Sequence, residues 1–314
     1  MSKSVLSAKH FHDEAAAYKF VEARVWPNGP ICPHCGGVDR IGKLEGNSTR
    51  HGVYKCYQCR KPFTVKVGTI FESSHIELKV WLQAMFLMSS SKKGISANQL
   101  HRTLGVTLKT AWFLAHRLRE AMAGDSNDMP PMGGAGKVVE VDEAYQGFKL
   151  GRPVKAGKGH KNAILSLVER GGEVRSFHVA NLSGNTLYEV LLRNIDADTH
   201  VMTDQHPMYR DVGKEFAAHS SVNHSLGEYA RGIVTTNTVE GFFGVMKRGI
   251  NGVYQHVSEH HLARYLAEYD FRHSNRIALG INDVARTDRL VKGVVGKRLT
   301  YQTTRSRIDG TVRG

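Results

Sequence analysis

The spacing of hydrophobic positions switches between helix and strand periods along the chain. Phe11, Ala15, Tyr18 and Val21 keep a helical spacing until Trp26-Pro27-Asn28-Gly29-Pro30 breaks it. Leu78, Trp81, Leu82, Met85 and Phe86 predict a second helix. Ser96-Ala97-Asn98-Gln99 is a capping box opening a helix with Leu100 and Leu104, and Gly105 permits a sharp turn. Thr107 then caps a helix whose Ala111, Leu114, Ala115, Leu118 and Met122 recur at i, i+3, i+4 and i+7. Residues 124–137 are polar and rich in Gly and Pro, as a linker is.

Beyond the linker the period shortens. Val138-Val139-Glu140-Val141-Asp142 is a β-branched run that ends in acid, the pattern of a buried strand delivering Asp142 to a site. Residues 163–169 and 174–180 flank Arg170-Gly171-Gly172-Glu173 as a hairpin, and the basic, Gly-rich residues 151–161 form a loop before it. Residues 183–195 are helical, with Leu187, Val190, Leu191 and Ile195 on one face, and His200-Val201-Met202-Thr203 returns as a strand ending at Asp204. Residues 205–236 read as short loops. A helix over 237–249 places Val239, Phe242, Phe243 and Met246 inward, and Asn237, Glu240, Gly244 and Lys247 on another stripe. Gly241 and Gly244 weaken a helix interior, which makes sense where a backbone or phosphate needs room. Leu262, Tyr265, Leu266 and Tyr269 mark one more helix, and the tail beyond Arg286 reads as basic and irregular, open to nonspecific contact with DNA.

Strand, hairpin, helix and strand form the front half of an RNase H-like α/β fold, in which the first and fourth strands are neighbours. The segments that follow are an N-terminal helix and cysteine region (1–70), a two-helix region (71–123), a linker (124–137), the α/β domain (138–285) and the tail (286–314). With 314 residues and 41% hydrophobic content, the chain has enough apolar material for a substantial core divided over two or three domains. Its apolar runs are much shorter than the roughly 20 residues of a bilayer crossing, and its start lacks a signal-peptide layout, so a cytoplasmic protein is expected. The formal net charge of +14 favours polyanions, nucleic acid foremost.

All 4 cysteines fall in two pairs, Cys32-Pro33-His34-Cys35 and Cys56-Tyr57-Gln58-Cys59. Two such knuckles suit tetrahedral thiolate coordination of Zn2+ in a zinc ribbon; disulfides or redox dithiols are the competing reading. The two capped helices across a Gly-containing turn form a helix-turn-helix, with Lys109, Thr110, Phe113, His116 and Arg117 on the outward part of the second helix and available to DNA. A purely structural helical hairpin has the same pattern.

Asp142-Glu143, Thr203-Asp204, Asn223-His224-Ser225, Asn237-Thr238-Val239-Glu240-Gly241-Phe242 and Lys247-Arg248-Gly249 occur in an order that resembles the DDE transposases of bacterial insertion sequences. The nearest likeness is to the ISXO-like group, whose members join a zinc ribbon to this catalytic domain. Val257-Ser258-Glu259-His260-His261-Leu262 and residues 265–272 extend the match. Between Asp204 and Glu240 lie 35 residues, the interval of DD(35)E enzymes, and Lys247 stands seven beyond Glu240. The resemblance implies that Asp142, Asp204 and Glu240 hold Mg2+ or Mn2+, that Lys247 and Arg248 meet DNA phosphates, and that the enzyme cuts terminal inverted repeats and joins their 3′ ends to target DNA. It also implies at least a homodimer on DNA. Some members use Asn as the third residue, which makes Asn237 the alternative to Glu240. Read by residue type alone, Glu140 or Glu143 is a substitute for Asp142, and Asp196, Asp198 and Asp211 lie near Asp204. The rival functions are a zinc-ribbon regulator with an inactive nuclease fold, and a resolvase-like or repair nuclease.

Overall fold

The alternation of helix and strand periods is realised in the computed structural model, which describes residues 4–124, 129–151, 159–223, 227, 228 and 230–300. Helix α1 (Glu14–Val25) is followed by strands β1 (Ile41–Lys43), β2 (Tyr54–Cys56) and β3 (Pro62–Phe63), then helices α2 (Leu78–Ser90), α3 (Ala97–Leu104) and α4 (Leu108–Met122). Next come β4 (Val138–Gln146), β5 (Asn162–Glu169), β6 (Val174–Val179), α5 (Gly184–Asn194), β7 (His200–Asp204) and β8 (Ala218–Val222). A small hairpin, β9 (Ala230–Arg231) and β10 (Val234–Thr235), leads into α6 (Asn237–Gly249), α7 (Glu259–Ser274) and α8 (Asp283–Lys292). The chain divides into two units, one from residues up to Met88, Ala97–Ala121 and from Thr287 on, the other from Ser89–Ser96 and Met122–Arg286.

In the first unit β1, β2 and β3 form an antiparallel sheet in that order, covered by Trp26, Tyr54 and Phe63, whose rings lie 5.5 to 5.9 Å apart. The Asp13 carboxylate caps α1 by accepting from Ala16 N at 2.7 Å, and Glu14 caps α2 by accepting from Leu78 N and Lys79 N. Each cap gives orphan amides of a first turn an acceptor, with a negative charge at the positive end of a helix dipole.

The tail beyond Arg286 is not irregular throughout. Helix α8 runs through it, with Leu290, Val291 and Val294 fully buried, and Asp288 pairs with Arg24 and Lys292. Its apolar stripe is too short to stand out among the basic residues around it. Arg305, Arg307 and Arg313 lie outside the described residues, as do Arg152, Lys155 and Lys158 of the Gly-rich loop.

The second unit holds a five-stranded mixed sheet in the order β6-β5-β4-β7-β8. Strands β4, β5 and β6 are antiparallel neighbours, whereas β7 and β8 run parallel to β4, so the first and fourth strands pair as an RNase H-like fold requires. Val139, Val141, Leu165, Leu167 and Val201 pack with Leu187 and Leu191 of α5 on one face. Ala144, Ile164 and Val168 pack with Val239, Phe242, Phe243 and Met246 of α6 and Leu262 and Leu266 of α7 on the other. Period-2 alternation therefore turns Glu140 and Asp142, which share Ala144's side of β4, toward α6 and α7. The stretch 205–236 is more than loop: it contains β8, the fifth strand, which carries little apolar alternation because it is a polar edge.

Candidate active site and metal centre

The parallel register of β4 and β7 pairs Val138 with His200, Val139 with Val201 and Glu140 with Met202. Two places further along each strand stand Asp142 and Asp204. Neighbouring strands lie about 4.8 Å apart, so this register alone brings two acids together at one end of the sheet. Burial, reinforced by the charges of Glu143, Asp204 and Glu240, pushes the Asp142 carboxyl up to about 7, against the pull of the Glu143 N–H that it accepts at 2.7 Å. Asp204 accepts from His206 N at 3.1 Å. Among the described residues neither Asp142 nor Asp204 forms an ion pair.

Helix α6 brings up the other side. Asn237, Glu240, Lys247 and Arg248 are all exposed on it, while Val239, Phe242, Phe243 and Met246 are buried. Glu240 accepts from Thr236 Oγ1 at 2.9 Å, and the Lys247 ammonium lies 5.8 Å from the Phe243 ring centroid. A Cβ at Gly241 would meet nothing within 4 Å, so the room inferred from this glycine is present.

Three acids crowd one strand, and their partners tell them apart. Glu140 is fully buried and accepts from Thr238 N, Val239 N, Thr238 Oγ1 and Arg170 Nε, so all its lone pairs face donors of the protein. Glu143 accepts at 2.7 Å from the hydroxyl of Tyr209, whose own ionisation burial and the Glu143 charge push far up. Among the described residues Asp142 carries no such cationic or helix-end partner. Near Asp204, Asp196 is occupied by a turn bond from Asp198 N, and Asp211 pairs with Lys214. Sequence reasoning missed Arg170 and Tyr209. Arg170 was hidden in a turn, and Tyr209 in a segment read as loop.

The donor chemistry fits two different metals. Cys32, Cys35, Cys56 and Cys59 are not disulfide-bonded, and their sulfurs lie within 4.8 Å of one another. The Cys32–Cys59 and Cys35–Cys56 sulfur separations of 3.6 and 3.7 Å match the edge of about 3.8 Å of a tetrahedron with 2.3 Å Zn–S bonds. Disulfides, at about 2.0 Å, do not fit. Among the described residues the acids by Asp142 do not close to the spacing of the cysteine set. Their hard oxygens and mutual repulsion are the donor chemistry that a magnesium-type cation would take.

The helix-turn-helix residues divide. Lys109 is exposed and Thr110 half-buried, with Thr110 N donating to the capping Thr107 Oγ1. Arg117 is not outward-facing: it is buried, and its guanidinium donates to the carbonyls of Ile70, Glu72 and Leu299. His116 is buried beside it. Both sit at the border of the Leu114–Leu118 stripe, where the long arginine stem packs inside and its head finds backbone acceptors.

A four-cysteine ribbon in one unit and an RNase H-like sheet with acids on two neighbouring parallel strands in the other define a metal-binding protein of the nucleic-acid-processing class. Residues 12–62 match the transposase zinc-ribbon domain and residues 133–274 the ISXO2-like transposase domain. The chain is also 26% identical over 285 residues to an uncharacterized protein in transposable element ISH50 of Halobacterium salinarum, covering 85% of this chain and 93% of that protein. The chain belongs to the ISXO2-like insertion-sequence transposases that carry a zinc ribbon. Among the described residues no helix is long and apolar enough to cross a membrane.

Proposed function

We propose that the protein cuts the terminal inverted repeats of its insertion sequence and joins the freed 3′ ends to target DNA. The observation that carries this reading is the β4–β7 register, which brings Asp142 level with Asp204 beside the first turn of α6. Asp142 and Asp204 serve as two ligands, and Glu240 as the third, with Asn237 one turn earlier on the same stripe as its alternative. Magnesium or manganese held there would activate an oxygen nucleophile and stabilise the leaving oxygen. Water attacks the phosphodiester at the element's end and frees a 3′-hydroxyl; that hydroxyl then attacks a target phosphodiester, whose own 3′-oxygen leaves. Lys247 and Arg248, exposed on α6 beyond Glu240, grip phosphates next to the reacting one. Lys109 and Thr110 meet duplex DNA through α4, and Zn2+ on the four cysteines holds the ribbon in shape. Joining two ends in one event calls for at least a dimer on DNA.

The test is magnesium-dependent nicking of a duplex bearing the terminal repeat. It is expected from the parent and absent in Asp142→Ala and Asp204→Ala; nicking that persists in both variants removes the assignment. A parent that binds the repeat without nicking it is the zinc-ribbon regulator instead. A labelled 3′ end that is cut and never joined to target DNA marks a resolvase-like or repair nuclease.

A further inference from the structure

Resting on that reading of the acid cluster, we propose that Glu140 and Arg170 form a positioning pair that fixes the first turn of α6 against β4, and so sets the separation between Asp142 and the third ligand. Glu140 has no exposed surface, and its carboxylate takes four donors: Arg170 Nε at 2.6 Å and Thr238 Oγ1 at 2.9 Å on one oxygen, Thr238 N at 2.7 Å and Val239 N at 3.0 Å on the other. Those two amides belong to the first turn of α6 and would otherwise be orphans. A cap for them is ordinarily local. Here the N-cap residue, Thr236, makes no side-chain capping bond, and the cap comes from a strand 98 positions earlier in the chain. Arg170 extends the tie, donating to the carbonyls of Ile233 and Thr235 at 2.8 and 2.9 Å, so the segment entering α6 is fastened by the same pair.

The placement matters because of what flanks it. Asp142 lies two residues along the same face of β4, and the two candidate third ligands, Asn237 and Glu240, immediately bracket Thr238 and Val239. A buried charge replaced by a local cap would keep the helix; only a cap rooted in β4 also registers the helix to the strand ligand. Glu140 does not touch the cation itself, since its oxygens are taken up by protein donors.

The full-length protein is titrated with Mn2+, read by the free-Mn2+ electron paramagnetic resonance signal and, separately, by nicking. Thr238→Val keeps the β-branched shape and the backbone donors while deleting one bond to Glu140; Arg170→Lys keeps the charge but loses the fork; Glu140→Gln removes the charge. Supporting carboxylates of this kind change metal affinity about 10-fold to 100-fold when altered. We expect half-saturating Mn2+ to rise least for Thr238→Val and most for Glu140→Gln, about tenfold or more, with nicking recovered at saturating Mn2+. A purely structural role would lower the melting temperature and leave half-saturation where it was, and that result overturns the proposal. Should Glu140→Gln fail to fold, the two milder variants decide by the same criterion. A parent that neither binds Mn2+ at the acid cluster nor nicks DNA overturns the underlying reading and the pair's role with it, whereas an active parent with unshifted variants overturns the pair alone.

Discussion

Asp270 is the place to test what a half-buried carboxylate costs this fold. It accepts from Ser176 N at 2.8 Å and Ser176 Oγ at 2.7 Å, and that hydroxyl is also 2.8 Å from Ser166 Oγ, which ties α7 to β5 and β6. Burial pushes the carboxyl from its ordinary 3.8 up to about 7, with the Glu173 charge adding to the rise and the Ser176 bonds opposing it. A raised carboxyl favours the protonated folded state, so its contribution to stability is present below about pH 4 and is lost as pH climbs through 7. At 1.36 kcal/mol per pKa unit the full loss is about 4 kcal/mol. Asp270 is only half-buried and lines a cavity of about 470 Å³, so with solvent screening about 2 kcal/mol is the figure we expect at pH 8. Asp270→Asn fixes the neutral shape: its oxygen still accepts from Ser176 N, and its amide donates to Ser176 Oγ, which turns to donate to Ser166. Urea unfolding of parent and variant from about pH 5 to pH 8.5 should show the variant gaining on the parent as pH rises, with the gap shrinking toward low pH. A gap that does not change with pH, or one that widens on acidification, refutes the reasoning.

Four further substitutions probe other parts of the molecule. Cys56→Ser should lower zinc content from one ion per chain and expose the ribbon to protease while leaving the second unit's melting unchanged; full zinc retention by elemental analysis would exclude four-thiolate coordination. Lys109→Ala should weaken DNA binding and flatten its salt dependence without changing the melting temperature. Arg117→Ala should do the reverse, losing about 2 kcal/mol or more because three carbonyls lose their donor; a DNA defect at unchanged stability would return Arg117 to the DNA-facing set. At Gly249 a Cβ would collide with the Tyr269 hydroxyl and the Lys93 carbonyl, so Gly249→Ala should cost roughly 1–3 kcal/mol in unfolding experiments, and a neutral result would mean that α6 shifts freely there.

Local pattern made the ribbon and the acid-bearing strands legible. Cysteine spacing states its own geometry, and an apolar run that meets an acid announces a buried strand, but the strand does not stop there: β4 runs on four residues past Asp142 to Gln146, held by its pairing with β5. Where pattern failed, the missing information was tertiary. Strand β8 has only Val222 fully buried, so it shows no alternation, and its existence depends on β7 offering a free edge. Arg117 sits beside an apolar stripe, and a helical period says which residues share a face, not whether carbonyls such as those of Ile70 and Glu72 wait across from it. The same holds for α8, whose Leu290 and Val291 look like accidents in a basic tail until the first unit closes over them.

The sharpest case is Val138-Val139-Glu140-Val141-Asp142-Glu143, where three carboxylates within four residues have three different fates. Alternation separates Glu143 from the other two, because it points to the α5 side, where Tyr209 meets it from 66 positions away. Glu140 and Asp142 share a face and differ only in what reaches them. The start of α6 and Arg170 converge on Glu140, and among the described residues nothing of that kind converges on Asp142, which is left facing Asp204 and Glu240 across a region of like charge. An acid surrounded by donors is structural; an acid left among acids holds free energy that only a cation or a proton can release. That difference ranks Asp142 above Glu140 as the candidate ligand, and the partners that occupy Glu140 lie 30 to 99 positions away in the sequence, which is why no reading of the strand by itself can make the choice.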